Sequence, residues 1–134
     1  MKRHEKLIPI SRDHHQMLIL ARLMRDDAPP YKGLPTDPEE KAAYAKHQFE
    51  EFLLPHFAKK EKVMDWVIDQ EEESIAILSE ELKAEQKALT RCFELLTINS
   101  LDKTGRDLEN HIRRIERELF EQMQDSFDLD SLEF

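Results

Sequence analysis

The chain is poor in cysteine, in glycine and in long apolar runs. Its one thiol, Cys92, excludes an internal disulfide framework and a zinc site built from several thiolates. Its two glycines, Gly33 and Gly105, are expected at breaks, and no phosphate-cradling loop or dinucleotide fingerprint can be assembled from them. No apolar run approaches the roughly 18 residues that a membrane span needs. After the polar start, the stretch Leu7-Ile8-Pro9-Ile10 is too short for the core of a signal peptide. β-branched residues are sparse and nowhere alternate as in a strand. Basic charge is also short: 20 Lys and Arg stand against 29 Asp and Glu, a net charge of −9 in 134 residues. Nucleic acids and anionic membranes need the opposite balance. These absences predict a cytoplasmic protein with no nucleic-acid, membrane or nucleotide-cofactor partner.

Long stretches rich in Glu, Lys, Leu and Ala dominate, so the expected class is all-α. Ser11 is a suitable N-cap for a first helix over about 11–27, which stops before Pro29-Pro30. The segment 28–35 holds three prolines and one glycine and reads as a loop. Asp37, Pro38 and Glu40 mark the start of a second helix over about 38–69. A polar turn at 69–73 leads to a third over about 72–97. Asn99-Ser100 separates it from a fourth over about 101–125. The tail from Asp125 to Phe134 carries Phe127, Leu129 and Leu132, which can pack or fray. Four amphipathic helices with short connections predict a single domain, 1–134, folded as an antiparallel up-down-up-down four-helix bundle.

Residues three and four apart share a helix face. The first helix then carries His14 in a stripe with Ile10, Met17, Ala21 and Met24, while His15 sits at its flank. The second carries His56 and Lys60, one turn apart, between Leu53 and Val63. The third carries Glu85 and Gln86 between Leu82 and Leu89. The fourth carries His111 with Leu108, Ile112, Ile115, Leu119 and Met123. His47 falls on the outer face of its helix, and Pro55 should kink that helix just before His56. Three buried histidines on separate helices would each be costly to solvate alone. Convergence on one metal or one polar network accounts for all three.

Three motifs in this order, Ser11-Arg12-Asp13-His14-His15, Leu53-Leu54-Pro55-His56-Phe57 and Leu108-Glu109-Asn110-His111-Ile112-Arg113-Arg114 with Glu116, resemble the bacterial hemerythrin-like (HHE cation-binding) family. The resemblance covers roughly residues 7–125. It implies a four-helix bundle holding two bridged non-haem irons, with roles in dioxygen binding, oxygen or redox sensing, or iron handling. It implies His14, His56 and His111 as metal ligands, with Glu61 and Glu116 matching the second glutamates of their motifs.

The sequence departs from the family at three places. Lys60 stands where a carboxylate follows the second-helix histidine, Ile115 where the first glutamate of the fourth helix belongs, and Gln86 where the third helix has a histidine beside Glu85. In a regular helix the i+4 position lies about 40° from its partner and i+5 about 140°. Glu61 and Glu116 should therefore face the histidines less directly. Lys60 can pair with Glu85 or run its head out to water. Two readings follow. The first is a non-enzymatic cation-binding protein whose iron site has eroded to one or two ions. The second is a metal-free bundle serving as a structural, protein-interaction or sensory module. A ferritin-like di-iron enzyme is excluded, because Ser11, Leu53 and Leu108 stand where its Glu-x-x-His motifs need glutamate. A zinc protease is excluded because no His-Glu-x-x-His occurs.

Overall fold

A computed structural model describes residues 2–133; Met1 and Phe134 lie outside it. All regular structure among the described residues is helical. Helix α1 spans Ile8–Leu23. Helix α2 (Pro38–Gln48) runs without interruption through a π-turn, Phe49–Leu53, into α3 (Leu54–Asp69). Helix α4 spans Glu73–Glu94. A 3-10 turn at Ile98–Ser100 leads into α5 (Leu101–Arg114), a second π-turn (Ile115–Leu119) and α6 (Phe120–Ser126). The described residues thus form four long helical segments: α1, α2–α3, α4 and α5–α6. Packing joins α1 to α5, α5 to α4, α4 to α3, and α3 back to α1. No helix among the described residues is long and apolar enough to cross a membrane.

Local chemistry explains most of the boundaries. Asp37 caps α2 by accepting the backbone N–H groups of Glu39 and Glu40, and Pro38 opens the helix. Glu72 caps α4 through the N–H of Ile75. The turn before it places Glu71 at φ 60°, a left-handed conformation that side chains other than glycine adopt infrequently. Ser11 does not start α1. The helix begins earlier, at Ile8, with Pro9 in its first turn, and Ser11 lies inside it with its hydroxyl committed to Glu116. The helix also ends earlier than residue 27, at Leu23.

Gly105 is not at a break. It lies inside α5, where an added Cβ would sit 2.6 Å from the Ala21 carbonyl oxygen and 2.8 Å from Met24 Cβ. The absent side chain is what lets α1 and α5 approach this closely. Pro55 has no N–H to give to the preceding turn, and the ladder ahead of it relaxes into the first π-turn.

The apolar faces bury two clusters. One gathers Leu7, Ile10, Val63, Val67, Leu82, Ile115 and Phe120 with Leu129 and Leu132, so the tail packs instead of fraying. Phe127 stacks edge-on against Trp66 at 5.6 Å. The other gathers Met17, Ala21, Phe49, Leu53, Phe93, Leu108 and Ile112. A polar group of side chains from all four segments lies in the same interior.

Candidate functional site

His14 on α1, His56 on α3 and His111 on α5 are all buried, at 2%, 1% and 0% exposure, and Lys60 on α3 is buried at 1%. The His14 and His56 rings meet edge-on at 4.9 Å. Phe57 packs against both His56 and His111, and the Lys60 ammonium lies 5.2 Å above the Phe57 ring. The four side chains therefore share one interior volume. His15 and His47 are exposed.

Each imidazole is held by a carboxylate from a different segment. His14 Nδ1 meets Glu116 Oε2 at 2.7 Å, His56 Nδ1 meets Asp13 Oδ2 at 3.0 Å, and His111 Nδ1 meets Glu85 Oε1 at 2.8 Å. An ionised carboxylate can only accept, so each Nδ1 carries the proton and each Nε2 presents a lone pair. All three Nε2 atoms are buried without a hydrogen-bond partner, as is Lys60 Nζ. Three acceptors and one amine are thus left facing an apolar interior.

The carboxylates have their own support. Ser11 Oγ donates to both Glu116 oxygens at 3.0 and 2.8 Å, and Arg3 lies 3.2 Å from Glu116. Arg114 donates to Glu85. The bond from His111, with that from Arg114, holds the Glu85 carboxyl below its usual range. Glu116 reaches α1 from inside the second π-turn. The i→i+5 pattern there adds a residue to the turn and brings round a position that a regular helix would hold about 140° away from His111.

Burial dominates the protonation of the interior. It lowers the Lys60 amine to about 7, against a partial upward pull from Glu116, Glu85 and Asp13. Burial, then the Lys60 charge, lowers His56 to about 3 and His111 to about 4. The same two causes put His14 well below its ordinary value. The imidazoles are neutral at physiological pH, and the amine is shared between its two forms.

The remaining residues singled out in the sequence are dispersed. Glu61 is exposed and lines a surface groove of about 450 Å³ with Lys83 and Glu80. Gln86 is buried and donates to the Phe57 carbonyl oxygen at 3.0 Å, tying α4 to α3. Ile115 is fully buried in the apolar cluster. Lys60 neither runs its head to water nor forms an ion pair with Glu85, which is engaged by His111 and Arg114.

The donor set can be tested against the iron pair that the resemblance implies. Three imidazole nitrogens are present, and each has the carboxylate support that metal-bound histidines characteristically have. The carboxylates themselves are spent on Nδ1 atoms, Glu61 is at the surface, and an amine occupies the interior. Among the described residues, no group of three or more His, Cys, Asp or Glu side chains is arranged to hold a metal ion. These residues do not fit a bridged dinuclear iron centre.

Sequence reasoning missed Asp13 as the partner of His56, and Arg3 and Arg114 as supports of the carboxylates. Periodicity along one helix cannot assign partners on another; the recurrence of a carboxylate for every buried histidine is the signal that could have found them. No family model, no curated protein and no solved structure matches this chain.

Proposed function

We propose that this chain is a hemerythrin-like, antiparallel up-down-up-down four-helix bundle that works without a metal, as a non-catalytic sensory module read by a protein partner. The observation that carries this reading is the buried, unpartnered Lys60 amine in an interior that also holds the unpartnered Nε2 atoms of His14, His56 and His111. A lysine at this position removes the carboxylate that the resembled family supplies one turn after the histidine. It also puts a potential positive charge where a cation would sit. At an effective dielectric of about 20, one unit charge about 4 Å away contributes on the order of 4 kcal/mol of repulsion.

The sensory reading is supported by what the interior gives up. Buried polar atoms are ordinarily hydrogen-bonded, yet four nitrogens here are not. Such departures are expected where a fold serves function in preference to stability. The alternative of an eroded, partly occupied iron site draws support from the three carboxylate-held imidazoles.

The test is the iron content of tag-free protein after anaerobic reconstitution, with its absorption spectrum. The expected result is no stoichiometric iron and no oxo-bridge band. Iron retained in proportion to chain, with that band, overturns the metal-free reading. Reverting Lys60→Glu together with Ile115→Glu and Gln86→His should raise iron retention, with Lys60→Glu giving most of the gain.

A further inference from the structure

We propose that the groove between the last turns of α4 and the start of α5 binds a small amphipathic carboxylate of the medium-chain fatty-acid class. The site uses neither the imidazoles nor Lys60, so it stands whether or not the interior holds a metal.

Three observations lead to it. First, the groove is open to water and of the right size. Ala88, Arg91, Cys92 and Leu95 line it from α4, and Ser100 and Lys103 from the start of α5. The four α4 positions follow an i, i+3, i+4, i+7 spacing, so they form one stripe. The volume is about 420 Å³, within the range of small-molecule sites. Ala88, Arg91, Leu95 and Lys103 are exposed, so a ligand reaches the groove directly from solvent. Second, part of the lining is apolar. Leu95, at 65%, is the most exposed large apolar side chain among the described residues. Cys92 is a half-buried free thiol, which packs as a small hydrophobe. Ala88 and Leu95 stand two helical turns apart, about 10 Å along α4, which a medium-length alkyl chain spans. Third, the charge is of one sign. The chain carries a net charge of −9, yet this groove is lined by two cations and no carboxylate. The other grooves that hold Lys or Arg each hold Asp or Glu as well. Asp107 engages Lys103 at 2.6 Å. Among the described residues Arg91 forms no ion pair, in contrast to Arg106 and Arg114.

These features match the two ends of one ligand. The carboxylate lies on Arg91, whose planar guanidinium gives it two parallel hydrogen bonds, with the Lys103 ammonium contributing further positive charge. The alkyl chain covers Cys92 and Leu95 and removes their apolar surface from water. At physiological ionic strength, exposed charges beyond about 8 Å are largely screened, so the two local cations outweigh the net charge of the chain. A chain headed by an amine meets like charge at the same place. A carboxylate without a chain leaves Leu95 in water. A phosphate dianion asks for more positive charge than the groove keeps once Asp107 has engaged Lys103.

Cys92 is the one cysteine of the chain, so the rate of its alkylation reports on this groove alone. The full chain is treated with iodoacetamide at increasing decanoate, below the micellar concentration, and the modified fraction is followed by mass spectrometry. The expected result is that decanoate slows alkylation several-fold and saturably, whereas acetate and decylamine do not. Arg91→Gln, at an exposed position, should raise the decanoate concentration required by about tenfold, as the loss of a charge-assisted hydrogen bond does. An alkylation rate that decanoate leaves unchanged overturns the proposal. Equal protection by decylamine overturns it too, because apolar surface alone would then account for binding. If Cys92 in the free chain does not react, backbone-amide NMR over the same titration decides. Shifts centred on Arg91, Leu95 and Lys103 support the site, and shifts elsewhere or none overturn it.

Discussion

Replacing Lys60 with methionine should stabilise the chain, by an amount that depends on pH in a way no simple packing change can imitate. Methionine has a similar length and no charge, and fills irregular core space well. The folded amine sits at about 7, against 10.5 for an unhindered lysine. A base whose pKa is lower in the folded chain binds fewer protons when folded, so its contribution to stability rises with pH. For Lys60 that rise runs between about 7 and 10.5, and below about 7 the full penalty applies, on the order of 5 kcal/mol at about 1.4 kcal/mol per pH unit. Lys60→Met should therefore raise the unfolding free energy by about 4 kcal/mol at about pH 7, and by only about 1 kcal/mol near pH 10. Urea unfolding of both chains across that range measures the difference. A gain that does not shrink with pH, or a methionine variant less stable than the parent at every pH, refutes the argument that the amine is desolvated.

The histidines act with the same sign in a lower pH window. His14, His56 and His111 are all lowered, so the unfolded chain takes up protons first as pH falls below about 6.5, and stability drops by up to about 4 kcal/mol per pH unit for three imidazoles. Helical circular dichroism should be lost with proton uptake between about pH 6 and pH 4, and an unchanged urea midpoint from pH 7 to pH 5 would contradict this. At Gly105 an alanine gains helix propensity but meets the Ala21 carbonyl oxygen and Met24, so Gly105→Ala should cost about 1–3 kcal/mol in the same unfolding assay; a stabilised variant would show that α1 and α5 can separate freely.

Much of the helical layout was legible because its signals are local. Asp37, Pro38 and Glu40 announce the start of α2, and the apolar periodicity places His14, His56, Lys60 and His111 on faces that are buried. What was not legible depends on contacts between helices. Ser11 has the chemistry of a cap, yet Pro9 can open the helix earlier and Glu116 then claims the hydroxyl. Gly105 resembles a helix break until the carbonyl of Ala21 stands where its side chain would be. The position five after His111 is off the inner face of a regular helix, and no glycine or proline within Ile115–Leu119 announces the π-turn that carries Glu116. The destination of the Lys60 head, left open between Glu85 and water, was settled by Glu85 being taken by His111 and Arg114.

The central claim is that a desolvated amine shares the buried interior with three imidazoles, and the protonation of Lys60 itself tests it most directly. Nitrogen-labelled lysine in the full chain, followed by NMR across a pH series and assigned through Lys60→Met, reads that group alone. The expected result is a Lys60 amine that titrates near 7. Lys60 titrating near the ordinary lysine value of 10.5 would mean that its charge reaches water or a carboxylate, and would contradict the account.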